Sequence, residues 1–197
     1  MAQRVDFYFD YGSPTSYLAY VQLPGVVERT GAVVNFKPIL LGGVFQAAGN
    51  VSPMTVAAKG KWMQADMTLF AERYKVPFAM NPHFPVNTLN LMRGAMHAQR
   101  EGFLQQYSDA MFTAMWAEGR NLGDPAVIAS VLASAGMDAG QLMAATQDPA
   151  VKEALKAATE AAVRRGVFGA PTLFVGDEMF FGQDRVQFVE ERLARLA

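Results

Sequence analysis

The feature that most restricts how this chain can fold is where its strand-forming segments lie: at the two ends, with none between them. Near the start, Val5-Asp6-Phe7-Tyr8-Phe9-Asp10 and Val33-Val34-Asn35-Phe36-Lys37-Pro38 are short runs rich in β-branched and aromatic residues, which suit a pleated, buried strand. Near the end, Thr172-Leu173-Phe174-Val175 and Glu178-Met179-Phe180-Phe181 flank Gly176-Asp177, a two-residue hairpin turn. Between the first two strands the sequence predicts one helix over residues 14–29, opened by Ser13 as N-cap with Pro14 at its first position and followed by a turn at Gly31. Strand, helix and strand make a βαβ unit. A closing helix over residues 184–196, with Asp184 as its N-cap, follows the hairpin.

From about residue 54 to 165 Ala, Met, Leu, Gln and Glu dominate, and breaks near Asn81-Pro82, Gly102, residues 119–125, residues 136–140 and Asp148-Pro149 divide the stretch into several helices. The expectation is an α/β protein: a βαβ…ββα frame formed by residues 1–50 and 166–197, with a large all-helical insertion over residues 51–165. No internal repeat or flexible linker separates the two parts, so they are expected to pack as one unit.

Composition narrows the function. Of 197 residues, 51% are hydrophobic and 18% charged, too apolar for a disordered chain. The longest uncharged stretch, residues 38–58, is interrupted by Gly42, Gly43, Gln46, Gly49, Asn50 and Pro53 and is no membrane span. The first residues lead straight into a strand without the apolar region of a secretory signal, which predicts a cytoplasmic location. With no cysteine, the chain has no disulfide, no thiol nucleophile and no thiolate metal site, and its two histidines, His83 and His97, leave little for an imidazole metal centre, so no metal is expected. The formal charge is −1, from 17 lysines and arginines against 18 acids, and the basic residues are scattered rather than massed, so the footprint of a nucleic-acid binder is lacking. Small molecules, or a second copy of the chain, are the expected partners.

The candidate chemistry sits at the first strand-to-helix turn, Phe9-Asp10-Tyr11-Gly12-Ser13-Pro14-Thr15-Ser16-Tyr17-Leu18-Ala19. With this turn, the segments Lys37-Pro38-Ile39-Leu40-Leu41-Gly42-Gly43-Val44-Phe45, Gly49-Asn50, Lys59-Gly60-Lys61-Trp62-Met63, Pro82-His83-Phe84-Pro85, Gly166-Val167-Phe168-Gly169-Ala170-Pro171-Thr172 and Phe181-Gly182-Gln183-Asp184-Arg185 follow in order along nearly the whole chain. In this joint order the sequence resembles the branch of the thioredoxin fold that holds the kappa-class glutathione transferases and the bacterial 2-hydroxychromene-2-carboxylate isomerases.

That resemblance implies a thioredoxin-like fold of the DsbA type in which Ser13 stands where related folds put a reactive thiol, so that the sulfur is brought by bound glutathione. Ser13 would be the catalytic residue, donating to the sulfur and stabilising its thiolate; its plainer role as a helix cap is compatible with this. Pro171 would be a cis proline against the turn, with the backbone of Ala170 pairing with the cysteinyl part of glutathione as an added strand would. Gln183 and Asp184 would hold its γ-glutamyl end, and Gln183, where kappa transferases carry serine, leans toward the isomerases. Asn50 and Lys59 would reach the cofactor from the start of the insertion, although on local sequence alone Lys59 reads as a solvated lysine. Asp66 matches a position that in kappa dimers touches the cofactor of the other subunit, and the family's usual homodimer is implied with it. Phe45, Trp62, His83 and Phe84 are candidate walls for a flat aromatic substrate, and Lys37 a candidate partner for its carboxylate; Trp116 reads better as core. The activity implied is glutathione-dependent isomerisation of 2-hydroxychromene-2-carboxylate to trans-o-hydroxybenzylidenepyruvate in aromatic degradation, by reversible thiolate addition. The alternatives are a kappa-like transferase and a non-catalytic peptide-binding module.

Overall fold

The computed structural model describes residues 3–196. Four strands, β1 (Arg4–Phe9), β2 (Val33–Pro38), β3 (Thr172–Val175) and β4 (Glu178–Phe181), form one sheet in the order β2-β1-β3-β4. β1 runs parallel to β2, with Phe7 beside Phe36, and antiparallel to β3, with Phe7 beside Leu173; β3 and β4 close the hairpin through Gly176, whose φ of 60° suits the tight turn. The central strand is covered on both faces, which is why its sequence reads as a nearly continuous apolar run rather than an alternation.

On one face Phe7 and Phe9 join a large core with α1 (Pro14–Tyr20), α5 (Leu89–Glu101) and α6 (Leu104–Phe112). Phe112 is the hinge pin of this packing: its ring centroid lies 4.8 Å from both Tyr11 and Tyr20 and 5.7 Å from Phe9. Frame and helical segment therefore share one buried cluster, in which each fully buried large side chain contributes about 1.5–3 kcal/mol. On the other face Tyr8 and Phe174 pack with Ile39, Val44, Ala162 and Val167 under α3 (Leu41–Ala48) and α9 (Pro149–Arg164).

The helix expected over residues 14–29 is two helices, α1 and α2 (Leu23–Thr30). Pro24 explains the break, because it has no N–H to give to the carbonyl of Tyr20 and its ring would crowd that oxygen. The closing element also starts differently. A single tight turn, Gln183–Arg185, precedes α10 (Val186–Leu196), and Asp184 lies within that turn and is no N-cap. Gly182 starts the turn at φ 107°, where a β-carbon would meet Asp184 Oδ1 at 2.6 Å.

The remaining helices, α4 (Ala57–Tyr74), α7 (Pro125–Ser134) and α8 (Ala139–Ala145), fall between the expected breaks, and α6 runs on into a wider π-type turn, Thr113–Ala117. In the crossing of α5 with α6, Gly94 leaves room for the Tyr107 phenol, which donates to the carbonyl of Leu91 at 3.0 Å. A Gly94→Ala variant drives a methyl group into that phenol and is expected to lose about 1–3 kcal/mol of stability, the usual cost of overpacking, as read by urea denaturation.

Candidate active site

The site starts from the carboxylate of Asp10 at the end of β1. It accepts the N–H of Gly12 at 2.8 Å through Oδ1 and the N–H of Leu41 at 2.8 Å through Oδ2, and the Thr88 side chain lies beside it. Burial raises its pKa while these donors pull it back down. One side chain thus fixes the turn that carries Ser13, the start of α3 and the start of α5.

Ser13 is 4% exposed. Its Oγ accepts the Ser16 N–H at 3.0 Å, capping α1, and donates to the carbonyl of Ala170 at 3.0 Å, with Thr15 Oγ1 also 3.0 Å away. The Ala170-Pro171 peptide is cis and lies directly against the turn. Because α1 has only seven residues, the dipole behind Ser13 is that of two turns rather than the four-turn helix expected. The Ala170 carbonyl accepts two hydroxyls, Ser13 at 3.0 Å and Thr15 at 3.3 Å, so the free backbone edge expected at Ala170 is in part occupied by the chain itself.

Around this turn runs a groove of about 440 Å³. It brings together Ser13, Asn50, Ala170, Pro171, Gln183 and Asp184 from the candidate cofactor residues, and Phe45, Trp62 and Phe84 from the candidate aromatic walls, with Asp66 as well. Phe84 rests on the buried Trp116, ring centroids 6.0 Å apart, while Trp62 is 65% exposed. Asn50 is oriented by donating to the carbonyl of Phe168 at 2.9 Å. Gln183 is buried, and the Tyr74 hydroxyl donates to its Oε1 at 2.7 Å, which fixes the orientation of the amide.

Three of the expected residues lie elsewhere. Lys59 is exposed in the first turn of α4 and does not line the groove; the cation that does is Arg185, 3.6 Å from Asp184. Lys37 sits in β2, an edge strand, beside Tyr8, and His83 is exposed in the loop before α5, its N–H donating to Asn81 Oδ1; neither lines the groove. Trp116 is fully buried and its Nε1 donates to the carbonyl of Tyr11 at 2.7 Å, the core role read from sequence. No group of three or more His, Asp or Glu side chains suited to a metal occurs among the described residues.

Sequence reasoning missed three supports of the turn. Asp10 holds the turn to α3 through Leu41 N–H; Thr15 shares the Ala170 carbonyl; and Met92 accepts the Tyr11 N–H at 3.4 Å through its sulfur. A signal existed only for Thr15, one of three hydroxyl residues in Ser13-Pro14-Thr15-Ser16. The partners of Asp10 and Met92 are set by tertiary approach.

A buried hydroxyl at a strand-to-helix turn, faced by a cis proline across a groove, defines a thioredoxin-fold protein without the redox thiols of that fold. The chain belongs to the DSBA-like thioredoxin domain family, whose pattern matches residues 4–194. It is 35% identical to a 2-hydroxychromene-2-carboxylate isomerase of Sphingobium xenophagum, covering 98% of this chain and 99% of that protein. It is 28% identical to human glutathione S-transferase kappa 1, covering 98% and 92%. A solved 2-hydroxychromene-2-carboxylate isomerase superposes with a TM-score of 0.90 at 32% identity, covering 98% of this chain and 95% of that one.

Two acids of the groove interact. Burial first, and then the nearby charge of Asp184, raise the pKa of Asp66 above 3.8. A raised folded-state pKa means the native protein holds this proton more tightly than the unfolded chain, so stability falls as pH rises through the carboxylate range. Asp66→Asn is expected to raise Tm at neutral pH and to flatten this pH dependence; an unchanged profile in thermal melts across that range would show that the pKa of Asp66 is not raised on folding.

Proposed function

We propose that the protein is a glutathione-dependent isomerase of an unsaturated aromatic 2-oxo acid, of the kind that interconverts 2-hydroxychromene-2-carboxylate and trans-o-hydroxybenzylidenepyruvate in naphthalene-type degradation, acting in the cytoplasm as a homodimer. The observation that carries this reading is a buried serine hydroxyl at the base of the groove in a chain that has no sulfur nucleophile of its own, alongside full-length likeness to proteins named as that isomerase.

The residues fit the tripeptide. Asp66 and Asp184 form an anionic corner suited to an ammonium group, and Arg185 is the lining cation nearest them. The Ala170 N–H is the backbone group left to meet an extended segment, since its carbonyl is held by Ser13 and Thr15, and Phe45, Trp62 and Phe84 suit a flat ring. When bound, glutathione would supply a thiolate able to add reversibly to a conjugated carbon, so that the former double bond is single and free to turn before the thiolate is expelled again, with no net redox change. The chain's own part is to hold and to polarise. Ser13 Oγ turns its hydrogen from the Ala170 carbonyl toward the sulfur position while still accepting from Ser16 N–H, and Thr15 Oγ1 keeps that carbonyl satisfied. Positioning of the reacting groups and exclusion of water by the aromatic walls supply the rest of the acceleration.

Ser13→Ala is expected to lower kcat/KM for the chromene by about 10- to 100-fold, the worth of one charge-assisted hydrogen bond of about 1.5–3 kcal/mol, and to destabilise α1 by about 1 kcal/mol through loss of its cap. Undiminished turnover in this variant would overturn the role. The likeness to kappa transferases supports a second reading, conjugation. Catalytic amounts of glutathione sufficing for chromene turnover support isomerisation, whereas stoichiometric consumption with a halonitrobenzene and no chromene turnover supports transfer.

A further inference from the structure

Behind α3, on the side away from Ser13, lies a second cavity of about 620 Å³ between α3, the start of α5 and α9. The helix is its shared wall: Leu41 and Phe45 line the active-site groove, whereas Gly43, Gln46 and Ala47 line this one. Its width depends on small residues, since a β-carbon on Gly43 would already stand 3.3 Å from Thr159.

The chemistry of the lining is uneven. Leu40, Leu89 and Leu155 give it an apolar floor, and three cations, Arg93, Lys152 and Lys156, line it as well. None of these three forms an ion pair among the described residues. Lys152 and Lys156 are one helical turn apart on α9 and so share a face. Two acids also line the cavity, Glu153 and Glu160, and Glu160 lies 3.8 Å from Arg164. Arg93 stands out, because its Nε is buried and has no hydrogen-bond partner. A guanidinium N–H removed from water and left unmade is costly, and the chain has placed no carboxylate or carbonyl to receive it. A planar anion answers that geometry two N–H groups at a time, while the apolar floor takes a flat hydrocarbon body.

We propose that this cavity is a second binding site, taken by a small organic carboxylate with a flat apolar body, whose carboxylate pairs with the Arg93 guanidinium and draws on the field of Lys152 and Lys156. The site is separate from the Ser13 groove and needs no glutathione, so it stands or falls independently of the reaction assigned above.

The absence of native cysteine makes the test clean. Ala47→Cys, an exposed position on this cavity, gives the protein a single thiol, and Ser52→Cys gives one on the active-site groove. Each is titrated with 1-naphthoate while its reaction with Ellman's reagent is followed. Protection of the Ala47→Cys thiol is expected to reach about tenfold once naphthoate stands at about ten times its dissociation constant, as mass action requires. Adding Arg93→Gln is expected to abolish that protection and Arg93→Lys to keep part of it, with methyl 1-naphthoate giving none on Ala47→Cys alone. No protection up to the solubility limit, protection confined to the Ser52→Cys thiol, protection that survives Arg93→Gln, or equal protection by the ester would each overturn the proposal.

Discussion

The arrangement rests on one buried carboxylate. Asp10 follows the central strand and takes hydrogen bonds from Gly12 and Leu41 with the Thr88 side chain beside it, so that three separate segments meet there. Burying that charge is costly, and the donors around it offset the cost only while all are in register. The active-site turn, α3, which walls the groove, and the start of α5 therefore meet at a single side chain.

Upon that base, hydroxyl groups occupy the turn where related folds carry thiols. Ser13 is at once the cap of α1 and the nearest donor to the groove, and Thr15 duplicates its contact with the Ala170 carbonyl. That duplication matters, because a hydroxyl has one hydrogen. A donor able to serve both a backbone carbonyl and a ligand needs a second group to take its place, and the first turn of α1 holds one. The acids Asp66 and Asp184 line the same groove, and burial, with the charge of Asp184 second, raises the pKa of Asp66.

Much of this was legible in the residues. The four strands and the breaks between helices follow from β-branched and aromatic runs and from Gly and Pro, whose effects are local. Pro24 was legible too, and reading residues 14–29 as a single helix overlooked it. The groove was visible through its motifs, because Ser13, Asn50, Ala170, Pro171, Gln183 and Asp184 converge although they are scattered along the chain. The long side chains fared worse. Lys37, Lys59 and His83 lie near the groove in sequence context but not on its lining, since the direction of a side chain depends on the register and pitch of its element, which no local signal sets. Asp10 and Met92 were hidden for the opposite reason: both read as ordinary residues until tertiary approach supplies their partners.

The sheet order carries one more consequence. β1 is central, yet one of its neighbours, β3, comes from the far end of the chain, with Val5 paired to Val175. During synthesis the nascent chain leaves the ribosome with that edge of β1 unpaired until the hairpin emerges, and the grip of Arg165 on Asp6, Tyr8 and the Gly176 carbonyl is complete only then. The aromatic face of β1, by contrast, packs with α1, α5 and α6, which all precede that hairpin in the chain.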